Sequence, residues 1–401
     1  MGVGEEGPVE SGRAAQGFSA VPNTVSCDVV IVGLGPVGAA LAALLGARGL
    51  AVTVVERGAA PHALPRAAHL DGTALQTLAG AGAPVARLGR PIDGFDLVDR
   101  RGRLLLRGRP AERPPAGFPA GVLIHQPTVE RALRDRLAEL RHVDLRLGHA
   151  VERVRQSGAG VVVEGVGPDG GFRLAGGLVV GCDGATSRVR DGLGIPLVGG
   201  GFEQDWLVVD IVLRRALRLP ERLLQIADPA RPATFVPFPG RRRRWEFRLR
   251  PGEDPEAVRQ PDAVRRLLAP HVDPGLVDVE RAAVYTFHDL VAARWRRGRV
   301  LLAGDAAHQM PPFLGQGLGA GLRDAAALAP LVAAVVGGAP LSVLDGYERQ
   351  RRAHVRATVR QAVRLGRLIT LPEPWASARD RALRAGLHVP GLRRRLLDVR
   401  G

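Results

Sequence analysis

The chain of 401 residues contains no lysine, so its 56 basic residues are all arginine. They are scattered, and a formal charge of +16 without a basic stripe offers a nucleic-acid backbone nothing to follow. The excess reads as a compositional habit, and no nucleic-acid partner is expected. Arg241 to Arg244 is the one basic run, and most such runs are solvated loops. Cysteine is nearly missing. Cys27 and Cys182 stand far apart with no C-x-x-C and no Cys/His ligand spacing, so they read as small strand residues and no metal centre is expected. Tyrosine occurs twice, as Tyr285 and Tyr347. No stretch offers about 18 uninterrupted apolar residues, so no membrane span is expected. Residues 1–26 lack the basic and apolar blocks of a signal peptide and read as a mobile tail. A cytoplasmic location is expected.

Glycine, by contrast, is placed tellingly. Residues 28–56 read DVVIVGLGPVGAALAALLGARGLAVTVVE. The apolar run 29–32 suits a strand buried on both faces of a parallel sheet. Gly33, Gly35 and Gly38 then form G-x-G-x-x-G. The first permits a tight turn, the second lets backbone approach a pyrophosphate, and the third lets the next helix close on the strand. Pro36 suits a helix's first turn, and Val37, Leu41, Leu44 and Leu45 give its apolar stripe. Residues 52–55 make a second strand, which Glu56 ends just before Arg57. A carboxylate there accepts hydrogen bonds from a ribose 2′-OH. Strand, turn, helix, strand and acid together predict a dinucleotide site.

The length predicts two intertwined domains. Residues 27–91, 120–200 and 285–340 are assigned to a discontinuous Rossmann-like nucleotide domain. Residues 92–119 and 201–284, with alternating apolar and polar runs, are assigned to an inserted, mostly antiparallel sheet domain. The class is α/β with an α+β second domain, and residues 341–401 are expected to be helical. Within this frame, residues 64–78 carry Arg66 on a connection that either reaches the nucleotide or leaves it as a solvated loop arginine. His125-Gln126-Pro127-Thr128 precedes a helix. Residues 145–147, 151–154 and 161–166 are expected to form a short meander, and residues 257–268 a helix.

Two further strand ends carry carboxylates. Residues 178–180 run into GCDGATSRVR, where Asp183 either lies at the ligand-binding edge of an open sheet or caps a helix with Ser187. Residues 300–303 run into Gly304-Asp305, where a carboxylate can hold sugar-like hydroxyls. Gly315 and Gly317 then lead into a helix near Leu318, whose free N–H groups favour negative charge.

Three glycine-carboxylate sites in this order, with PRAAHLD, HQPTVE, CDGATSRVR, RRWEF and AGDAAHQMPPFLGQG, resemble the group A flavin-dependent aromatic hydroxylases. This is the para-hydroxybenzoate hydroxylase family, and the match is closest to its 3-(3-hydroxyphenyl)propionate hydroxylase and polyketide-tailoring branch. The resemblance spans roughly residues 27–351. It implies that Gly33, Gly35 and Gly38 take the FAD pyrophosphate and Glu56 the adenosine ribose. Gln126 and Asp305 would hold the ribityl chain, and Asp183 would serve both FAD and the nicotinamide cofactor. Gly317 and Leu318 would offer amides to the flavin's pyrimidine edge, and Pro311 and Pro312 would line the substrate side of the ring.

By the same resemblance, NADPH or NADH reduces the flavin, O₂ adds to it, and the hydroperoxide oxygenates a phenolic or polycyclic aromatic substrate. The cofactor carries that chemistry, so no nucleophile or metal is needed. Alternatives are a flavin reductase or dehydrogenase and a non-catalytic flavin-binding protein. Arg244 would either follow the flavin as it swings or form an exposed ion pair with Glu246. Many members carry a C-terminal thioredoxin-like domain, for which this chain is too short. Some relatives deprotonate the phenol with a tyrosine of the sheet domain, for which Tyr285 and His288 are the candidates here. A homo-oligomer is left open.

Overall fold

Val29 to Val32 are 0–5% exposed, as a β-branched run must be when a parallel sheet is covered on both faces. The computed structural model describes residues 25–60, 65–92, 94–108, 114–158, 160–389 and 391. Most of the expected tail, residues 1–24, lies outside them, and the first strand, Val25–Val32, begins inside that tail.

The first sheet runs Arg296–Arg297, Val300–Leu302, Gly170–Gly181, Val25–Val32, Val52–Glu56 and Val143–Leu147. All neighbours pair in parallel except the two-residue edge strand. Leu145 to Leu147 therefore do not join a meander. They pair with Val54 to Glu56 at the sheet's edge, because a strand following a helix returns parallel to its partner. Ala150–Gln156 and Val161–Gly167 do form an antiparallel extension with Gly170–Gly181. The Pro36–Gly46 helix packs between helices Gln126–Ala138 and Gly317–Val336. The last of these has the length and mean hydropathy, 1.5, of a membrane span, yet it carries Arg323 and Asp324 and its apolar face packs into the core.

The second sheet is His308–Gln309, Val277–Ala292, Leu197–Leu213, Arg242–Arg248, Ala233–Val236, Leu223–Ile226, Phe95–Val98 and Leu104–Gly108. Only the pair Leu223–Ile226 and Phe95–Val98 is parallel. One face carries Leu207, Val209, Ile211, Phe235, Trp245 and Phe247, which pack with Val264 and Leu268 of the Pro261–Leu268 helix. The helix expected over 257–268 is split, because Pro261 starts a new first turn after the short Pro255–Val258 helix. The other face turns toward the first sheet. Helices Asp345–Ile369 and Trp375–Leu387 close the described chain.

Candidate active site

The glycine turn is held by packing. Gly33 has φ +102°, and a Cβ there would sit 2.5 Å from the Cys182 carbonyl oxygen. A Cβ on Gly38 would lie 2.0 Å from the Gly33 carbonyl oxygen, so the helix can press against the turn only with glycine. Gly35 differs, since a Cβ there would meet nothing within 4 Å. Its surroundings are open for a ligand. Pro36 begins the helix, and among the described residues no N-cap side chain bonds to that end. Glu56 accepts from the Leu34 N–H and the Gly58 N–H at 2.8 Å each, while Arg57 is exposed.

The other expected groups gather along the carboxyl edge of the same sheet. Asp305 lies open beyond strand Val300–Leu302 and accepts no hydrogen bond among the described residues. Desolvation pushes its carboxyl pKa up, against the pull of His308 and Arg66. Gly304 has φ +62°, and a Cβ there would press on Val37 at 3.1 Å, so the two turns touch. Gln126 Oε1 accepts from the N–H groups of Ala67 and Arg66 at 2.7 and 3.3 Å, and its Nε2 donates to Glu130. It holds the loop that carries Arg66, whose side chain is exposed near Asp305.

Gly315, at φ +64°, ends the turn Pro312–Leu314, and its αL conformation feeds the Gly317–Val336 helix. Among the described residues no N-cap side chain bonds to that helix, so the N–H groups of Gly317 and Leu318 stand at an uncapped positive end. Asp183 takes the capping role. It accepts from Ser187 Oγ at 2.5 Å and the Val189 N–H at 3.1 Å, and burial pushes its carboxyl up.

Arg244 differs from both sequence readings. It is 3% exposed, 3.7 Å from an equally hidden Glu246, so the exposed ion pair does not exist. Four of its five guanidinium N–H groups are engaged. Nε and Nη2 donate to Asp210 at 2.7 and 3.2 Å, Nη1 to the Arg66 carbonyl and Nη2 to the Pro65 carbonyl at 2.7 Å each. Arg281 Nη2 adds a bond to the Pro65 carbonyl at 2.9 Å and lies 2.7 Å from Asp210. Together they clamp the loop between the two sheets. Tyr285 is on this face, its hydroxyl accepting from Arg281 at 3.0 Å. His288 is not brought there; it pairs with the exposed Glu203 on the opposite face. Phe287 and Trp206 stack at 6.0 Å, and Trp206 meets the Phe313 ring at 5.6 Å beside Pro312.

Asp210 and Arg281 were missed by the sequence reading, although an aspartate inside the apolar run 206–213 was the available signal. So were Asp324, His308 and Arg351. Asp324 accepts from the Gly304 N–H at 3.1 Å and Arg351 Nε at 2.8 Å, and lies 2.6 Å from His308 Nε2, bracing the strand end behind Asp305.

A glycine turn open at Gly35, two uncapped helix ends and an unpaired Asp305 fit a flavin dinucleotide, and a buried charged sheet face looks onto them. The class so defined is the flavoprotein hydroxylases. The chain belongs to the FAD binding domain family, which matches residues 26–362. It is 41% identical over 380 residues to 3-(3-hydroxy-phenyl)propionate/3-hydroxycinnamic acid hydroxylase 2 of Burkholderia vietnamiensis, covering 93% of this chain and 69% of that protein. A probable NADH-specific resorcinol 4-hydroxylase of Rhodococcus jostii is 39% identical, with 89% and 67% covered. The crystal structure of p-nitrophenol 4-monooxygenase PnpA from Pseudomonas putida superposes with a TM-score of 0.83 at 30% identity, covering 94% of this chain and 98% of that one. The chain is an FAD-dependent aromatic hydroxylase that uses NAD(P)H and O₂.

Proposed function

We propose that the substrate is a phenol, bound between the mixed face of the second sheet and the segment Pro311 to Phe313. The observation that carries this is the meeting of Trp206, Phe287 and Phe313, an aromatic wall whose continuation along the same face is polar. Such a lining suits a ring that is flat and apolar but bears hydroxyl groups. The names of the two relatives, which act on hydroxyphenyl compounds and resorcinol, support it.

Bound FAD supplies oxygen transfer from O₂ after reduction by NAD(P)H; the protein positions and shields. In this reading Gly33, Gly35, Pro36, Val37 and Gly38 receive the pyrophosphate, Glu56 and Arg57 flank the adenosine, and Gln126, Arg66, Gly304 and Asp305 face the ribityl chain. Gly315, Gly317 and Leu318 present the uncapped helix end to the flavin's pyrimidine edge, where charge develops. Asp183 borders both nucleotides. Pro312 and the aromatic wall exclude water. A nicotinamide reductant, which cells keep inside, supports a cytoplasmic location.

Purified protein is expected to be yellow, and Asp305→Ala and Gly35→Val are expected to lose flavin; full retention in both would refute the site. Hydroxylation is tested with a panel of phenols and phenylpropionates, following NAD(P)H loss and product mass in ¹⁸O₂. A product that gains one ¹⁸O is expected. Stimulated NAD(P)H use without ¹⁸O in the product would replace this reading with a flavin reductase.

A further inference from the structure

We propose that Glu246 is the base that takes the proton from the substrate's phenolic hydroxyl, a role that rests on the phenol reading above. Cross-strand register sets one row of side chains across the mixed face: Gln225, Thr234, Glu246, Val208, Ala283. The row on one side ends in Arg244, Asp210 and Arg281, fastened to the Pro65 carbonyl. The row on the other holds Arg248, Trp206 and Tyr285, and Trp206 touches Phe313. Glu246 therefore sits midway between the two segments of the first domain that reach this face.

Its neighbours leave it room. Val208 and Ala283 are short, and Val208, although 4% exposed, packs into none of the three apolar clusters. Thr234 Oγ1 donates to Gln225 Oε1 at 2.8 Å, and Gln225 Nε2 donates to the Phe313 carbonyl at 3.4 Å, which fixes the polar end of the row. Glu246 itself is 7% exposed and accepts no hydrogen bond among the described residues. Its closest cation, Arg244 Nη1, lies 3.7 Å away, beyond hydrogen-bond distance, and donates instead to the Arg66 carbonyl. Asp210, by comparison, is fully bonded.

A carboxylate removed from water without a donor is costly to keep, and it stands ready for a ligand that brings one. A phenolic O–H is the donor it lacks. The charged groups facing it are Arg244 and Arg248 on its own strand, Asp210 on the next and Arg281 beyond. Burial pushes its carboxyl up, opposed by Arg244 and Arg281 and reinforced by Asp210.

In the step itself the phenol O–H bond breaks and its proton forms the Glu246 O–H bond, leaving the electron pair on the ring oxygen to feed the carbon that receives one oxygen atom of O₂, the two electrons that reduce the other atom to water coming from NAD(P)H. When the ring regains aromaticity, the hydroxylated carbon sheds its proton to water and Glu246 returns its proton to the ring oxygen. The sum is phenol, O₂, NAD(P)H and H⁺ giving the dihydroxy product, water and NAD(P)⁺.

The test is Glu246→Gln against phenols of graded acidity, scoring ¹⁸O product per NAD(P)H consumed, with bound FAD measured in parallel. Product per NAD(P)H is expected to fall at least about a hundredfold for a weakly acidic phenol, the low end for a lost general base, and far less for a nitrophenol already ionised near neutral pH. The wild-type product rate is expected to fall as pH drops through the raised carboxyl pKa, and the variant to lack that limb. An equal loss for every phenol, or no loss, overturns the proposal. If the Gln variant fails to retain FAD, Glu246→Asp is judged on the same series, where a dependence on phenol acidity unlike the wild type's supports the role and an unchanged one overturns it. Wild-type protein that gives no ¹⁸O product from any phenol overturns the phenol reading, and this proposal with it.

Discussion

The two faces of the second sheet come from alternate residues of the same strands, and both are closed to water, yet they do opposite work. On one face Trp245, Phe247, Val209 and Ile211 meet Val264 and Leu268, with the His271 ring against Trp245 and Phe247. On the other, one residue along each strand, stand Arg244, Glu246, Asp210 and Arg281. Burial on the first face stabilises the fold by roughly 25 cal/mol per Å² of apolar area. On the second it imposes the desolvation of four charged groups, a cost that their mutual attraction offsets only partly. The first face holds the sheet together, and the second is tolerated for what it touches.

Mutations should separate the two. Trp245→Ala is expected to cost about 3–5 kcal/mol in chemical denaturation, as for other large core truncations, while surviving folded protein keeps its product per NAD(P)H. A drop in that ratio would mean that the apolar face also serves the reaction. Asp210→Ala is expected to cost about 3–5 kcal/mol, since Arg244 and Arg281 would be left buried without their carboxylate. Here flavin affinity should fall as well, because the clamp on the Pro65 and Arg66 carbonyls loosens; destabilisation with unaltered flavin affinity would break the assigned link.

Glu246→Gln should have a smaller and opposite effect on stability. The folded pKa of Glu246 lies above its unfolded value of about 4.3, so the wild type loses stability as pH rises from there through the folded value. The Gln variant escapes this loss, and its thermal midpoint should exceed the wild type's increasingly across that window. A midpoint below the wild type's at neutral pH would mean that the carboxylate is structural. Smallest of all, Arg242→Ala on the exposed end of the same strand should change stability by about 0.2–1 kcal/mol, because its pair with Glu280 is solvated.

The glycine turn was legible because its physics is local. Gly33, Gly35, Gly38 and Glu56 lie within one βαβ unit, and close packing at Gly33 and Gly38 admits only glycine. The edge strand Val143–Leu147 was misread because a short apolar run does not reveal whether its partner lies before or after it. Arg244 and Glu246 were read as exposed because neighbouring opposite charges usually are. Their burial depends on Asp210 and on the Pro65 carbonyl, 34 and 179 positions away in the chain. No window of sequence contains that information, although the aspartate in the apolar run 206–213 marks where to look.

The helix Asp345–Ile369 carried no chemistry when read as sequence, but its contacts bear on how this protein can be divided. Arg351 reaches Asp324, the Tyr347 hydroxyl donates to the Leu302 carbonyl at 2.8 Å, and Glu348 accepts from the Trp295 N–H at 3.1 Å. Further along, Arg379 donates to the Ala227 carbonyl of the second sheet's strand end. A recombination crossover or a truncation placed anywhere between Gly338 and Arg379 would strip a buried charge of its partner or a strand end of its brace. The nucleotide turn near the start of the chain and the helices near its end are thus inherited, or lost, as one piece.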